Sequence, residues 1–290
     1  MDRRNQAIAL TVLASFFWGT SFVAIGYGLR TAEPIGFLFL RFAIASVVSI
    51  IAVSVLYGGL VAYIKKKSVW FLGTINGLAF ILQYFAQTTT GAGRTALLIN
   101  MSVIFVAVTS YFVCREKFGL YKLTAVPLSF VGMVLLITGG DFSVISGGEF
   151  AGNLLGLTAG IIWSFFIVYS KMEIEKQNGE NMLRFTTAIM IVSSIVIAVP
   201  FAIFGKLPAP DISIWLIVIY VAIFCTFLAY LFWIIGLETL TPTTSSTILL
   251  LETIFALMLS IWLLNEQFSS VSAVGGAVML IAMVMITRAK

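Results

Sequence analysis

The sequence predicts an all-α polytopic membrane protein: ten transmembrane helices arranged as two inverted five-helix repeats, with both termini cytoplasmic. Three observations predict it. Of the 290 residues, 60% are hydrophobic and only 10% charged. A soluble domain is about 45–50% apolar and about 25% charged, so this chain has too few charges to coat a water-facing surface. The apolar residues fall into ten runs of spanning length, and the second five runs repeat the first five in a shifted register.

A spanning helix takes about 20 apolar residues, so ten of them use roughly 200 positions and leave only short connections. The runs cover residues 7–29, 34–57, 69–89, 93–114 and 119–139, then 152–170, 181–204, 212–236, 240–264 and 269–287. Charges or Gly and Pro separate them. The first run lacks an A-x-A-like cleavage site and leads into further spans, so it is expected to stay in the membrane rather than act as a removable signal. Residues 1–140 make the first five-helix unit and residues 141–290 the second.

With a cytoplasmic N-terminus, thirteen of the seventeen Lys and Arg fall on inside segments, among them Arg3, Arg4, the Lys65-Lys66-Lys67 run, Lys171 and Arg184. Only Arg30, Arg94 and Lys206 fall outside, and Arg41 lies within the second span. The bias follows the positive-inside rule and accounts for the net charge of +5 by orientation rather than by an anionic partner. The lysine run is read as a topology anchor. The chain has no histidine, which removes the usual general base and the usual metal ligand. Cys114 and Cys225 sit far apart in apolar runs, as buried small hydrophobes rather than a metal or disulfide pair.

Shifted by 150, residues 75–85 fall on residues 225–235, and the register runs on without a gap. Leu98 meets Ile248, Ile104-Phe105 meets Ile254-Phe255, and Glu116-Lys117-Phe118 meets Glu266-Gln267-Phe268. Trp18 and Trp163 correspond at a shift of 145 because the connecting loops differ. Five spans per unit is an odd number, so the two units insert with opposite orientation. An inverted repeat of this kind suits a body that opens to either side around a midplane site.

A cavity in such a body leaves polar stripes on its helices, because polar groups facing lipid are costly. Asn76, Gln83 and Gln87 share one face of the third span with Phe80 between them, and Thr226, Tyr230 and Trp233 make the corresponding stripe in the eighth. Interhelical hydrogen bonding is the alternative use of any one of these residues. Trp18 and Trp163 lie mid-span rather than at the interface, where they suit a flat cavity wall that stacks on a ring or attracts a cation.

Two charges lie within spans, and each is a functional candidate by default. Glu252, in the ninth, aligns with Ser102, and in a chain without histidine it is the available proton-coupling group. Arg41 lies about seven residues into the second span, close enough to the outer surface to snorkel; functionally it would attract a substrate carboxylate. Gly91-Ala92-Gly93-Arg94-Thr95-Ala96 fits a dinucleotide fingerprint only in form, since no predicted strand precedes it, and no P-loop is present. Asn100-Met101-Ser102 has the form of a glycosylation site but falls inside the fourth span. Gly152, Gly156 and Gly160 mark close packing of the sixth span within the fold.

The segments Phe17-Trp18-Gly19-Thr20-Ser21-Phe22, Leu40-Arg41-Phe42, residues 90–98, Cys114-Arg115-Glu116, Leu251-Glu252-Thr253 and Leu264-Asn265-Glu266 together resemble the EamA-type permeases of the drug/metabolite transporter superfamily. The resemblance covers nearly the whole chain and includes similarity to an aromatic amino-acid exporter. It implies ten helices, cytoplasmic termini, a cell-membrane location and export of small metabolites, with Arg41 a common feature. The family usually has proline after the ninth-span glutamate; Thr253 stands here, without the residue that would bend the helix. Because the family is functionally diverse, the substrate does not transfer with the fold.

The sequence-based reading is therefore a permease that carries amino acids or related solutes by alternating access. Its expected central cavity is lined by Trp18, Arg41, Asn76, Phe80, Gln83, Gln87, Asn100, Trp163, Tyr230, Trp233 and Glu252. The aromatic lining and the single deep positive charge argue against phosphorylated substrates. The alternative is a multidrug exporter of lipophilic cations coupled to protons through Glu252. Expected partners are a small-molecule substrate, the bilayer and protons, with no nucleic acid, cofactor or metal. An intramembrane enzyme would need a catalytic constellation, and none is visible.

Overall fold

The structure is a computed structural model that describes residues 2–113, 120–141, 149–176, 181–208, 211–266 and 269–288. Cys114, Glu116, Gln267 and Phe268, with the start of the fifth predicted span, lie outside these residues. All regular structure among the described residues is helical. The helices are α1 (Arg3–Gly28), α2 (Pro34–Leu56), α3 (Val61–Ile64), α4 (Lys67–Thr90), α5 (Ala92–Asn100), α6 (Ser102–Val113), α7 (Leu120–Thr138), α8 (Glu149–Lys176), α9 (Met182–Phe204), α10 (Ile212–Ala222), α11 (Ala229–Thr239), α12 (Pro242–Ile248), α13 (Leu250–Leu264) and α14 (Ser270–Arg288). A π turn, Ile223–Leu228, joins α10 to α11.

Eight segments are long and apolar enough to cross a membrane, with α5–α6, α10–α11 and α12–α13 each acting as one span. The chain is a multi-pass membrane protein. The fifth and tenth predicted spans coincide with α7 and α14, each of 19 residues, which pack against each other at the edge of the bundle. The other spans interleave the two halves of the chain: α4 packs on α8 and α9, α1 on α11 and α13, and α2 on α9.

Local chemistry sets the ends of these helices. Pro34 opens α2 at a position where no N–H is needed, and the Glu33 carboxylate accepts from the N–H groups of Ile35 at 2.9 Å and Gly36 at 2.7 Å. Asn181 caps α9 and Thr241 caps α12, again with a proline at the first helical position in the latter. The small-residue stripe of α8 permits the close packing expected of it: a Cβ at Gly160 would come within 2.8 Å of the Ile99 carbonyl oxygen, and one at Gly156 within 3.2 Å of the Leu98 side chain.

Two spans break near their middle. The fourth breaks between Asn100 and Ser102, where Met101 N–H reaches the Leu98 carbonyl and Ile104 N–H the Met101 carbonyl in tight i→i−3 turns. The ninth breaks at Leu249, where Glu252 N–H turns back to the Leu249 carbonyl at 2.9 Å. Ser15 of α1 donates to the Ile248 carbonyl at 3.2 Å and so satisfies one group at the break. The ninth span thus bends without a proline, just before Glu252.

Candidate functional site

The two helix breaks meet at a small central cavity of about 40 Å³, well below the volume of a small-molecule site in this conformation. Trp18, Ser21 and Phe22 of α1, Arg41 of α2, Phe80 and Gln83 of α4, Asn100 at the end of α5, Trp163 of α8, Trp233 of α11 and Glu252 of α13 line it. The break in the ninth span puts Glu252 in the first turn of α13, where the unsatisfied N–H groups and the helix dipole favour an acidic group inside the membrane. The break in the fourth span brings Asn100 into hydrogen-bonding contact with the Glu252 carboxyl, while Asn100 Nδ2 also donates to the Ala96 carbonyl at 3.0 Å.

The aromatic residues meet as a cluster. The rings of Trp18 and Trp163 lie 6.5 Å apart, Trp18 and Trp233 6.0 Å, and Phe80 stands edge-on to Trp163 at 5.2 Å. Trp233 donates through Nε1 to Ser245 at 3.0 Å. The Nε1 groups of Trp18 and Trp163 are buried and meet no hydrogen-bond partner among the described residues. An indole N–H buried without an acceptor is costly, and both rings belong to the cavity lining.

Arg41 corrects one expectation. It does not snorkel: it is fully buried. Its Nε donates to Thr226 Oγ1 at 2.6 Å, its Nη2 to the Cys225 carbonyl at 3.1 Å and its Nη1 to the Tyr84 hydroxyl at 3.5 Å, while the guanidinium lies 4.6 Å from the centre of the Phe80 ring. The π turn makes this possible. Ala229 N–H bonds to the Phe224 and Thr226 carbonyls and passes over that of Cys225, so one carbonyl is released from the ladder and Arg41 takes it. The guanidinium reaches the cavity with most of its donors already engaged.

Three residues of the expected cavity lining lie elsewhere. Asn76 and Tyr230 stand behind the cavity wall, where Tyr230 donates its hydroxyl to Asn76 Oδ1 at 2.6 Å and Asn76 Nδ2 donates to Ser193 at 2.8 Å. They tie α4 to α9 and α11. Gln87 lines a second cavity of about 240 Å³ with Gly26, Leu29, Arg30, Thr88, Gly91, Ala92, Leu264 and Glu266, and its Nε2 donates to the Phe22 carbonyl at 2.6 Å. Sequence reasoning missed Ser21, Phe22, Ile99, Ser102, Ile167 and Leu249 as cavity-lining groups. The alignment of Ser102 with Glu252 was the available signal for one of them.

The EamA-like transporter family matches the chain twice, over residues 5–138 and 150–288. An uncharacterized transporter of Archaeoglobus fulgidus is 27% identical over all of this chain and 98% of its own length. A second from the same organism is 25% identical over 97% of each chain. The uncharacterized transporter YyaM of Bacillus subtilis is 22% identical over 85% of this chain and 82% of its own. A solved crystal structure superposes with a TM-score of 0.74 at 17% identity, covering 97% of both chains, which speaks to the fold alone.

Proposed function

Because the chain belongs to the EamA-like transporter family, we propose that it is an alternating-access permease of the cell membrane that exports amino acids or related small metabolites. The observation that carries the reading is the central cavity, which both halves of the chain line and which combines an acid, a guanidinium, two unpartnered indole donors and an aromatic wall. A zwitterion matches that set, with its ammonium toward Glu252 and its carboxylate toward the Trp18 and Trp163 N–H groups and the remaining field of Arg41. Ten spans, cytoplasmic termini and two inverted units at residues 1–140 and 141–290 complete the proposal. The double family match and the shared 150-residue register support it.

Glu252 beside Trp18, Trp163 and Phe80 favours a second reading, the export of lipophilic cations in exchange for protons. Counterflow in proteoliposomes separates the two. The purified chain would be loaded in turn with each amino acid and with lipophilic cations, and pH held and then stepped. Accelerated exchange of amino acids supports the first reading, and exchange of cations alone replaces it with the second. Glu252→Gln sharpens the test: it is expected to abolish cation exchange but only to weaken that of a zwitterion, whose carboxylate contacts remain. A chain that exchanges no solute across the panel overturns both.

A further inference from the structure

The central cavity and the second cavity are separated by a thin layer. Phe22 lines the first, its carbonyl accepts the Gln87 amide, and Gln87 lines the second. A solute leaving by this route passes between the N-terminus of the fourth span and the C-terminus of the ninth. Those two ends are tied together. Asn265 adopts φ +56°, and Glu266 N–H bonds back to the Ser260 carbonyl, which turns the Glu266 side chain inward. Its carboxylate accepts from the N–H groups of Ala92 at 2.5 Å and Gly93 at 2.9 Å. Two N–H donors of the first helical turn meet one carboxylate, with the helix dipole aligned to favour the negative charge. Gly91 allows the approach: its φ is +79°, and a Cβ there would come within 2.7 Å of Glu266 Oε1.

The other face of the molecule is built differently. In the 150-residue register, Gly91-Ala92-Gly93 corresponds to Thr241-Pro242-Thr243. Pro242 has no N–H to give, and Thr241 accepts from Thr244 N–H at 3.2 Å, so the helix caps itself. Whatever Thr243 contributes, an acid at that end can collect at most one of the two bonds that Glu266 collects from the equivalent positions.

Resting on the permease reading and its topology, we propose that Glu266 latches the outer outlet of the central cavity. Because the latch is doubled at the outer face and at most single at the inner face, it biases the empty carrier toward opening inward, so that solute loads from the cytoplasm. Glu266 acts as a positioning residue that holds the fourth span against the ninth and touches no solute in the central cavity.

The test reads outward opening without any solute. A cysteine replaces Ser21, a buried residue of the central cavity. Intact cells are then treated with a membrane-impermeant maleimide from outside, with the signal of Cys114 and Cys225 measured in parallel on the chain lacking the new cysteine. Glu266→Ala is expected to speed labelling ~10-fold, and Ala92→Pro, which removes one of the two donors at a position that accepts proline, ~3-fold. Parental labelling rates in both variants, each eluting as a single species in detergent, overturn the latch. If Glu266→Ala yields no folded protein, Ala92→Pro decides alone. Accelerated labelling in a chain that exchanges no solute in proteoliposomes leaves the latch standing and defeats the permease reading. Normal exchange with unchanged labelling does the reverse.

Discussion

Helix α4 and the α10–α11 segment fill corresponding places in the 150-residue register, yet only the second carries a π turn. In α4 the ladder runs unbroken from Lys67 to Thr90, and its polar residues Asn76 and Gln87 spend their hydrogen bonds on neighbouring helices. In the eighth span the extra residue releases the Cys225 carbonyl, and with Thr226 it gives a buried guanidinium a neutral mount in the middle of the protein. The same contrast recurs at the starts of the fourth and ninth spans, where one helix is capped by a residue 174 positions away and the other by its own Thr241. The repeated framework supplies the cavity, and the places where one half departs from the other supply its charge and its closure.

The largest expected effect comes from breaking the first contrast. Arg41→Met leaves the Cys225 carbonyl and Thr226 without their partner in a low-dielectric interior, and is expected to cost about 3 kcal/mol of stability. A thermal melt in detergent should show a lower midpoint, and an unchanged midpoint would mean that the π turn stands without the guanidinium. Asn76→Ala should cost less, about 1 kcal/mol, because interhelical hydrogen bonds in membranes are individually modest. It should leave solute affinity in counterflow close to the parent, since Asn76 stands behind the wall; a large loss of affinity would move it into the site. Pro242→Ala gives the ninth span the N–H that Ala92 gives the fourth. We expect the smallest change here, a fall of ~2-fold in labelling of the cavity from the inner side of inverted vesicles.

The spans were legible in the sequence because membrane helices are written in length and hydropathy. Arg41, Glu252, Trp18 and Trp163 were legible as unusual residues at mid-span depth. Periodicity gives a residue's face but not its depth or its partner, which is why Asn76 and Tyr230, on the expected faces, turned out to bond behind the wall. Lys171 shows the limit from another side. By charge alone it is one more inside residue, whereas it is buried with its Nζ on the carbonyls of Leu237 at 3.0 Å and Glu238 at 3.1 Å. The π turn and the bend before Glu252 had no proline to announce them. They depend on which side chain arrives to take a released carbonyl, and in the case of Arg41 that side chain comes from 184 residues away.

The two unpartnered indole donors also say something about water. A cavity of about 40 Å³ has room for on the order of three water molecules, much less than an amino acid occupies. The Trp18 and Trp163 indole nitrogens are shielded from this water by the cavity wall. An acceptor, whether water or solute, reaches those two donors only when the wall shifts, so satisfying them is tied to a rearrangement of the helices around the cavity.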